Sequence, residues 1–213
     1  MNSEELEILK KKLGEKDLFW EDGKKTAGKQ AAQVKKNLQL RRDSDLSKKF
    51  SNLIIKKILS NELIKSFSLP KKVHGTFFSK SVEGMKYGVH IDNPYMSSGR
   101  ADLSFTIFLS SKDNYEGGAL IIEDFNSEEK FKLNAGEIII YPSTYLHSVE
   151  EVFEGERLVF VGWIVSYIKS IEEREYLFDL DAAARSLLTK YGRSNEVDLI
   201  FKSYSNLLRR LGS

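Results

Sequence analysis

Arg157-Leu158-Val159-Phe160-Val161-Gly162-Trp163-Ile164-Val165 is dense in β-branched and aromatic residues, with a single glycine as its only turn former. Such a run reads as a buried β-strand. Working outward, the segment from Val73 to Ile168 repeats this texture in Thr76-Phe77-Phe78, Tyr87 to Asp92, Leu103 to Leu109, Ala119 to Glu123, Glu137 to Tyr141 and Arg157 to Ile168. Asn93-Pro94, Glu116-Gly117-Gly118, Asn134-Ala135-Gly136 and Pro142-Ser143 separate these runs as turns. Many short strands at regular spacing predict a sandwich or barrel.

The flanks read differently. Leu46, Phe50, Leu53, Ile54, Ile58, Leu63, Ile64 and Phe67 recur at helical steps, which predicts one amphipathic helix ended by Pro70. The first third as a whole takes a helical reading. From Ile171 to Leu211 helical spacing returns, with Tyr176, Leu177, Leu180, Ala184 and Leu187 on one stripe and Leu199, Tyr204, Leu207, Leu208 and Leu211 on another. The order predicts an α+β fold: an N-terminal helical region (1–70) packed on a double-stranded β-helix, or jelly roll (71–170), and a C-terminal helical region (171–213).

Composition removes several function classes. No apolar run approaches the roughly 18 residues needed to cross a bilayer, so a membrane span is excluded. Met1-Asn2-Ser3-Glu4-Glu5 is acidic and lacks the order of a secretory signal, so the cytoplasm is the expected compartment. The chain has no cysteine, which leaves only His, Asp and Glu to hold a metal. A net charge of +2 conceals Lys10-Lys11-Lys12, Lys24-Lys25 and Lys35-Lys36. Such lysines could touch a polyanion, but a solvated helical surface is the preferred reading and nucleic acid is not the expected partner.

Of the three histidines, two fall in one pattern: His90-Ile91-Asp92, then His147, with Arg157 ten residues beyond it. Side chains alternate along a strand, so His90 and Asp92 are expected on one face, about 7 Å apart. His147 would come from another strand laid alongside. Two imidazoles and a carboxylate form the ligand set of non-haem Fe(II) oxygenases, which leaves metal positions open for chemistry. Without a metal, the same residues would be a strand motif and a core histidine. Arg157 opens an apolar strand, where a guanidinium is costly unless it meets a carboxylate. Its planar fork suits one end of a dicarboxylic co-substrate; an edge pair with Glu150 or Glu154 is the other reading. Thr106 joins the same pocket if its strand turns that face inward. Trp163 reads as core, and Gly117-Gly118 as a turn or tight backbone approach.

Tyr87-Gly88-Val89-His90-Ile91-Asp92-Asn93, Arg100-Ala101-Asp102-Leu103-Ser104, Tyr115-Glu116-Gly117-Gly118, Leu133-Asn134-Ala135-Gly136, Tyr141-Pro142-Ser143 and Leu146-His147 closely resemble the PKHD-type hydroxylases, bacterial relatives of the prolyl 4-hydroxylase catalytic domain. Trp20 to Gly23, Thr26-Ala27-Gly28 and Val34 to Gln39 look like that family's N-terminal signature, and Leu177 to Asp181 with Asn206 to Arg209 like its C-terminal one. The resemblance implies an Fe(II)- and 2-oxoglutarate-dependent dioxygenase, with ascorbate keeping the iron reduced, that hydroxylates a peptidyl proline or a small molecule. It implies His90, Asp92 and His147 as iron ligands and Arg157 as the partner of the distal 2-oxoglutarate carboxylate, the four forming the catalytic set. It also implies a 2-oxoglutarate hydrogen bond from Tyr87, which an ideal strand would turn away from His90 unless a bulge intervenes, and a link to iron homeostasis. Pro94 and Tyr95 depart from the small residues usual after HxDN, and His74-Gly75-Thr76 from the usual prolines, which puts substrate preference in doubt. Asn93 and Arg100 are candidate substrate contacts at the mouth.

Two other functions compete: a nucleic-acid demethylase of the same superfamily, and a non-catalytic sensor that binds iron and 2-oxoglutarate. The amphipathic flanking helices could build a homodimer.

Overall fold

Arg157 to Val165 lies within a long strand, Val152–Ser166, that is paired antiparallel on both sides. This computed structural model describes residues 3–15, 18–26, 28, 30–124 and 126–213; Met1, Asn2 and Ala27, used above, lie outside the described residues. In chain order the strands are β1 (Trp20–Asp22), β2 (Lys35–Lys36), β3 (Leu38–Leu40), β4 (Pro70–Val82), β5 (Lys86–His90), β6 (Tyr95–Met96), β7 (Gly99–Arg100), β8 (Leu103–Phe108), β9 (Tyr115–Gly117), β10 (Leu120–Glu123), β11 (Glu128–Phe131), β12 (Ile138–Pro142), β13 (Leu146–Val149) and β14 (Val152–Ser166). The helices are α1 (Ser3–Leu13), α2 (Asp45–Ser60), α3 (Glu62–Ser68), α4 (Ile171–Tyr191) and α5 (Asn195–Leu211).

The larger sheet runs β1-β3-β4-β14-β8-β12, with β9 also on β14; the smaller runs β11-β10-β13-β5-β2; β6 and β7 form a separate hairpin. The two main sheets make the double-stranded β-helix, and strict alternation sorts its faces. On β14, Leu158, Phe160 and Ile164 point outward; Leu103, Phe105 and Ile107 of β8 and Phe78 of β4 do the same. Leu6, Leu9 and Leu13 of α1 and Phe50, Ile54 and Ile58 of α2 cover this face and form the main core with it. The alternate residues Arg157, Val159, Val161, Ser104, Thr106, Ser79 and Ser81 turn inward and line a cavity. The larger apolar cluster thus lies outside the barrel, while a smaller one of Phe108, Leu120, Ile122, Tyr141 and Val159 shares the interior with these polar residues.

Three expectations need correction. The first third is not wholly helical: β1 and β3 extend the larger sheet and β2 the smaller, so residues assigned above to a helical region contribute strands to the barrel. Each has only two or three residues, too short for a periodic signal. The helix over Leu46 to Phe67 is two helices. Asn61 has extended backbone, ends α2, and caps α3 by accepting a hydrogen bond from Ile64 N at 3.0 Å through Oδ1. On α4 the buried stripe is Arg174, Leu177, Asp181 and Ala184, whereas Tyr176 and Leu187 face outward. Asp181 accepts hydrogen bonds from Ser66 of α3 and Arg185 of α4, and Arg174 donates to the carbonyls of Ile168 and Lys169. Buried polar residues on this stripe hid it from an apolar count. Among the described residues no helix is long and apolar enough to cross a membrane.

Phe160 is fully buried between Phe78 and Phe105, with ring centroids 4.8 and 6.1 Å away. Phe160→Ala is expected to cost about 3–5 kcal/mol through lost transfer energy and the cavity left behind, measured by denaturant unfolding.

Candidate active site

His90 closes β5, and His147 lies directly opposite it on β13. Between this pair and the next, Tyr87 opposite Val149, three residue steps on β5 match two on β13. That bulge carries Tyr87 to the His90 side, where the rings stack with centroids 3.6 Å apart and planes at 18°. The His90 and His147 rings are 4.2 Å apart between centroids.

Asp92 lies two residues beyond the end of β5 rather than on the strand, so alternation along β5 does not position it. Its carboxylate is fixed by the opposite sheet. Asp92 Oδ2 accepts hydrogen bonds from Ser104 Oγ at 2.6 Å and from Trp163 Nε1 at 2.8 Å. Ser104 and Trp163 are themselves register partners across β8 and β14, and Ser143 Oγ backs Ser104 at 2.7 Å. Trp163 is therefore not simply core. Its ring lies against Gly75, whose φ is +66° and whose place a Cβ would fill at 2.7 Å from Trp163 Cε3, so only glycine fits.

One ligand atom from each of His90, Asp92 and His147 comes within 4.8 Å of the others. His147 Nε2 is 3.7 Å from Asp92 Oδ2. Both rings are held through Nδ1: His90 to Gly88 O at 2.9 Å and His147 to Tyr145 O at 3.1 Å. A carbonyl can only accept, so each Nδ1 carries a proton, and in the neutral ring Nε2 is the atom that presents a lone pair. Burial first, and the charge of His147 second, drive the His90 pKa down to about 4, which keeps that ring neutral near pH 7. The arrangement can hold a divalent ion on three donors and leave its other positions open.

Arg157 enters the same cavity and is buried. Phe108 lies under its guanidinium at 5.6 Å, the Tyr115 hydroxyl lies close beside it, and that of Tyr141 acts on it through space. Arg157 Nε and Tyr115 Oη are both buried with no hydrogen-bond partner. Among the described residues Arg157 pairs with no carboxylate: Glu150 is bonded to Lys130 and Glu154 is exposed. Burial lowers the Arg157 pKa, although a guanidinium keeps its charge. Gly118, with φ +65°, makes room for it, since a Cβ there would stand 3.1 Å from Arg157 Cδ. Thr106 faces inward and is in hydrogen-bonding contact with Tyr141. Tyr87, His90, Asp92, Thr106, His147 and Arg157 thus line one cavity of about 350 Å³.

Other candidates behave differently. Arg100 is held by Asp102 at 2.6 and 2.8 Å and by Ser166 O at 3.1 Å, so its guanidinium braces the end of β14. Asn93 is exposed beside Gly28 at the cavity rim. His74, the third histidine, bridges Ser98 Oγ and Arg100 O, both at 2.8 Å, and takes no part in the cluster. Sequence reasoning missed Ser104, Tyr115, Tyr141 and Lys35. Ser104 had a signal, because it shares an inward face with Thr106 on a strand that is otherwise apolar.

The family model described as the 2OG-Fe(II) oxygenase superfamily matches residues 76–165, and that of the PKHD-type hydroxylase C-terminal domain matches residues 172–212. A PKHD-type hydroxylase of Prochlorococcus marinus strain MIT 9215 is 71% identical, over 100% of this chain and 96% of its own length. This chain belongs to the PKHD-type hydroxylases. Another such hydroxylase, from Prochlorococcus marinus strain NATL1A, is 58% identical over 99% of this chain and 95% of its own. Among solved structures, a Pseudomonas putida prolyl-4-hydroxylase aligns with TM-score 0.55 at 14% identity, covering 78% of this chain and 88% of that one. A Trichoplax adhaerens prolyl hydroxylase aligns at 0.52 and 12%, covering 81% and 79%. These two share the fold. This PKHD-type hydroxylase is accordingly an oxidoreductase of the dioxygenase class, and its family uses Fe(II) and 2-oxoglutarate.

Trp163→Phe removes one of the two donors that hold Asp92. Divalent-metal affinity, measured by Co(II) titration of metal-free protein, is expected to fall about 10- to 100-fold while the fold is kept.

Proposed function

We propose that this PKHD-type hydroxylase binds Fe(II) through His90, Asp92 and His147, binds 2-oxoglutarate with its distal carboxylate on Arg157, and hydroxylates a C–H bond of a small molecule or a peptidyl proline. The observation that carries this reading is a buried, unpaired arginine in the same cavity as the histidine–aspartate cluster. The donor set also fits the metal: two imidazoles and a carboxylate suit Fe(II) and leave sites for exchangeable ligands. An orphaned guanidinium donor fits a carboxylate of the co-substrate.

With its co-substrate and dioxygen, the iron supplies an oxidative decarboxylation that yields succinate and carbon dioxide and places one oxygen atom in the substrate. The protein's residues have simpler tasks. Gly88 and Tyr145 carbonyls fix the tautomers of His90 and His147, and Ser104 and Trp163 aim the Asp92 carboxylate. Tyr87 braces the His90 ring from the side that the β5 bulge opens, and with Thr106 it walls the co-substrate space. Arg157, desolvated among Phe108, Tyr115 and Tyr141, would bind a carboxylate more strongly than an exposed arginine does. No side chain needs to act as general base. Ascorbate as reductant and a role in iron homeostasis belong to this reading through the family resemblance.

A pure sensor would not need a complete cluster beside a carboxylate anchor. Turnover of 2-oxoglutarate to succinate separates the two functions. Anaerobic titration of the Fe(II) protein with 2-oxoglutarate is expected to raise a visible charge-transfer band. Arg157→Ala is expected to need about 30-fold more 2-oxoglutarate or worse, because a buried charge partner is lost. An unchanged midpoint would refute the assignment of Arg157.

A further inference from the structure

Lys35 is a buried charge that the chemistry above does not use. It lies on β2 at the edge of the smaller sheet, in register with Tyr87, and lines the cavity while being only 4% exposed. Its Nζ stands 4.9 Å from the Tyr87 ring centroid and 5.6 Å from that of Phe77. Among the described residues it has no ion pair and no hydrogen bond. Burial, then the positive charge of Arg42, lower its pKa to about 8, with Asp92 and Asp22 partly opposing. Arg42 lies over the same Phe77 ring at 4.6 Å and is likewise without a carboxylate among the described residues. A desolvated ammonium is costly to keep unless something pairs with it.

Charge balance identifies what is missing. In the reading above, Fe(II), the Asp92 carboxylate, the 2-oxoglutarate dianion and the Arg157 guanidinium cancel one another. Lys35 is then surplus positive charge on the cavity wall, and once Asp92 is spent on the metal its pull on Lys35 weakens. Nor does Lys35 duplicate Arg157: one packs on Tyr87 and Phe77, the other on Phe108, so the two cations stand on different parts of the cavity wall.

We propose that Lys35 is a specificity-determining residue that pairs with a carboxylate on the molecule to be hydroxylated, so that the substrate is a small carboxylic acid. This rests on the Fe(II) and 2-oxoglutarate reading. The burial of Lys35 and the cavity volume of about 350 Å³, shared with the co-substrate, call for a small molecule. Arg42, exposed beside the same ring, adds attraction for an entering anion.

The test uses full-length protein loaded anaerobically with Fe(II) and saturating 2-oxoglutarate. Cyclopentanecarboxylate and its neutral isostere cyclopentanecarboxamide are titrated against the charge-transfer band. The acid is expected to shift the band with an affinity about ten-fold or more above that of the amide, as a charge-assisted bond implies. Lys35→Met, which keeps an unbranched side chain one atom shorter and removes the charge, is expected to abolish that preference while leaving the 2-oxoglutarate midpoint unchanged. Lys35→Arg is expected to retain it, and it provides the comparison if the methionine variant fails to fold. Equal binding of acid and amide, no shift by either, a preference that survives Lys35→Met, or loss of the band as the acid displaces 2-oxoglutarate would each overturn the proposal. Absence of the band in the wild type would overturn the underlying reading as well.

Discussion

The Asp92 carboxylate joins the two sheets at the proposed iron site. Its backbone continues from β5 of the smaller sheet, while its Oδ2 is held by Ser104 of β8 and Trp163 of β14 in the larger. The strand ends before Asp92, so strand geometry alone would leave this carboxylate unplaced. The two hydrogen bonds convert a loop residue into a fixed donor beside His90 and His147, and they fix the spacing of the sheets at the same point. Gly75 and Ser143 take part indirectly, one by admitting the indole and the other by supporting the serine.

That polar junction is affordable because stability is gathered elsewhere. The outer face of the larger sheet packs Phe78, Phe105 and Phe160 against α1 and α2 in the larger of the two apolar clusters. The interior then holds groups that would each be a liability in a purely structural protein: a guanidinium lacking a partner for Nε, an ammonium set against aromatic rings with no ion pair among the described residues, and the His90 imidazole kept neutral by burial. Their desolvation is unfavourable without ligands and becomes useful when anions and a metal arrive.

Much of this was legible in the sequence. The strands came from short β-branched and aromatic runs between turn residues, and the α+β order from the helical spacing at either end. His90, Asp92, His147 and Arg157 come together in one cavity as their spacing and the family resemblance suggested, and the bulge that Tyr87 required is present in β5. What stayed hidden has physical reasons. Strands as short as Lys35–Lys36 have no period, and their pairing is decided by the sheet edge they meet. Trp163 looked like core because a sequence does not show where an indole N–H finds its acceptor. The stripe on α4 was misread because Arg174 and Asp181 are buried by partners distant in the chain. Lys35 was lost among exposed lysines, since burial of a charge belongs to tertiary structure.

The central claim is that the cavity couples oxidation of 2-oxoglutarate to dioxygen at the His90, Asp92 and His147 cluster. Incubating the Fe(II) protein with 2-oxoglutarate, ascorbate and oxygen-18 gas, then weighing the succinate by mass spectrometry, tests it most directly. The account predicts succinate that carries one oxygen-18 atom and is absent from the His147→Ala variant. Succinate without label, or no succinate from the wild type, would contradict it.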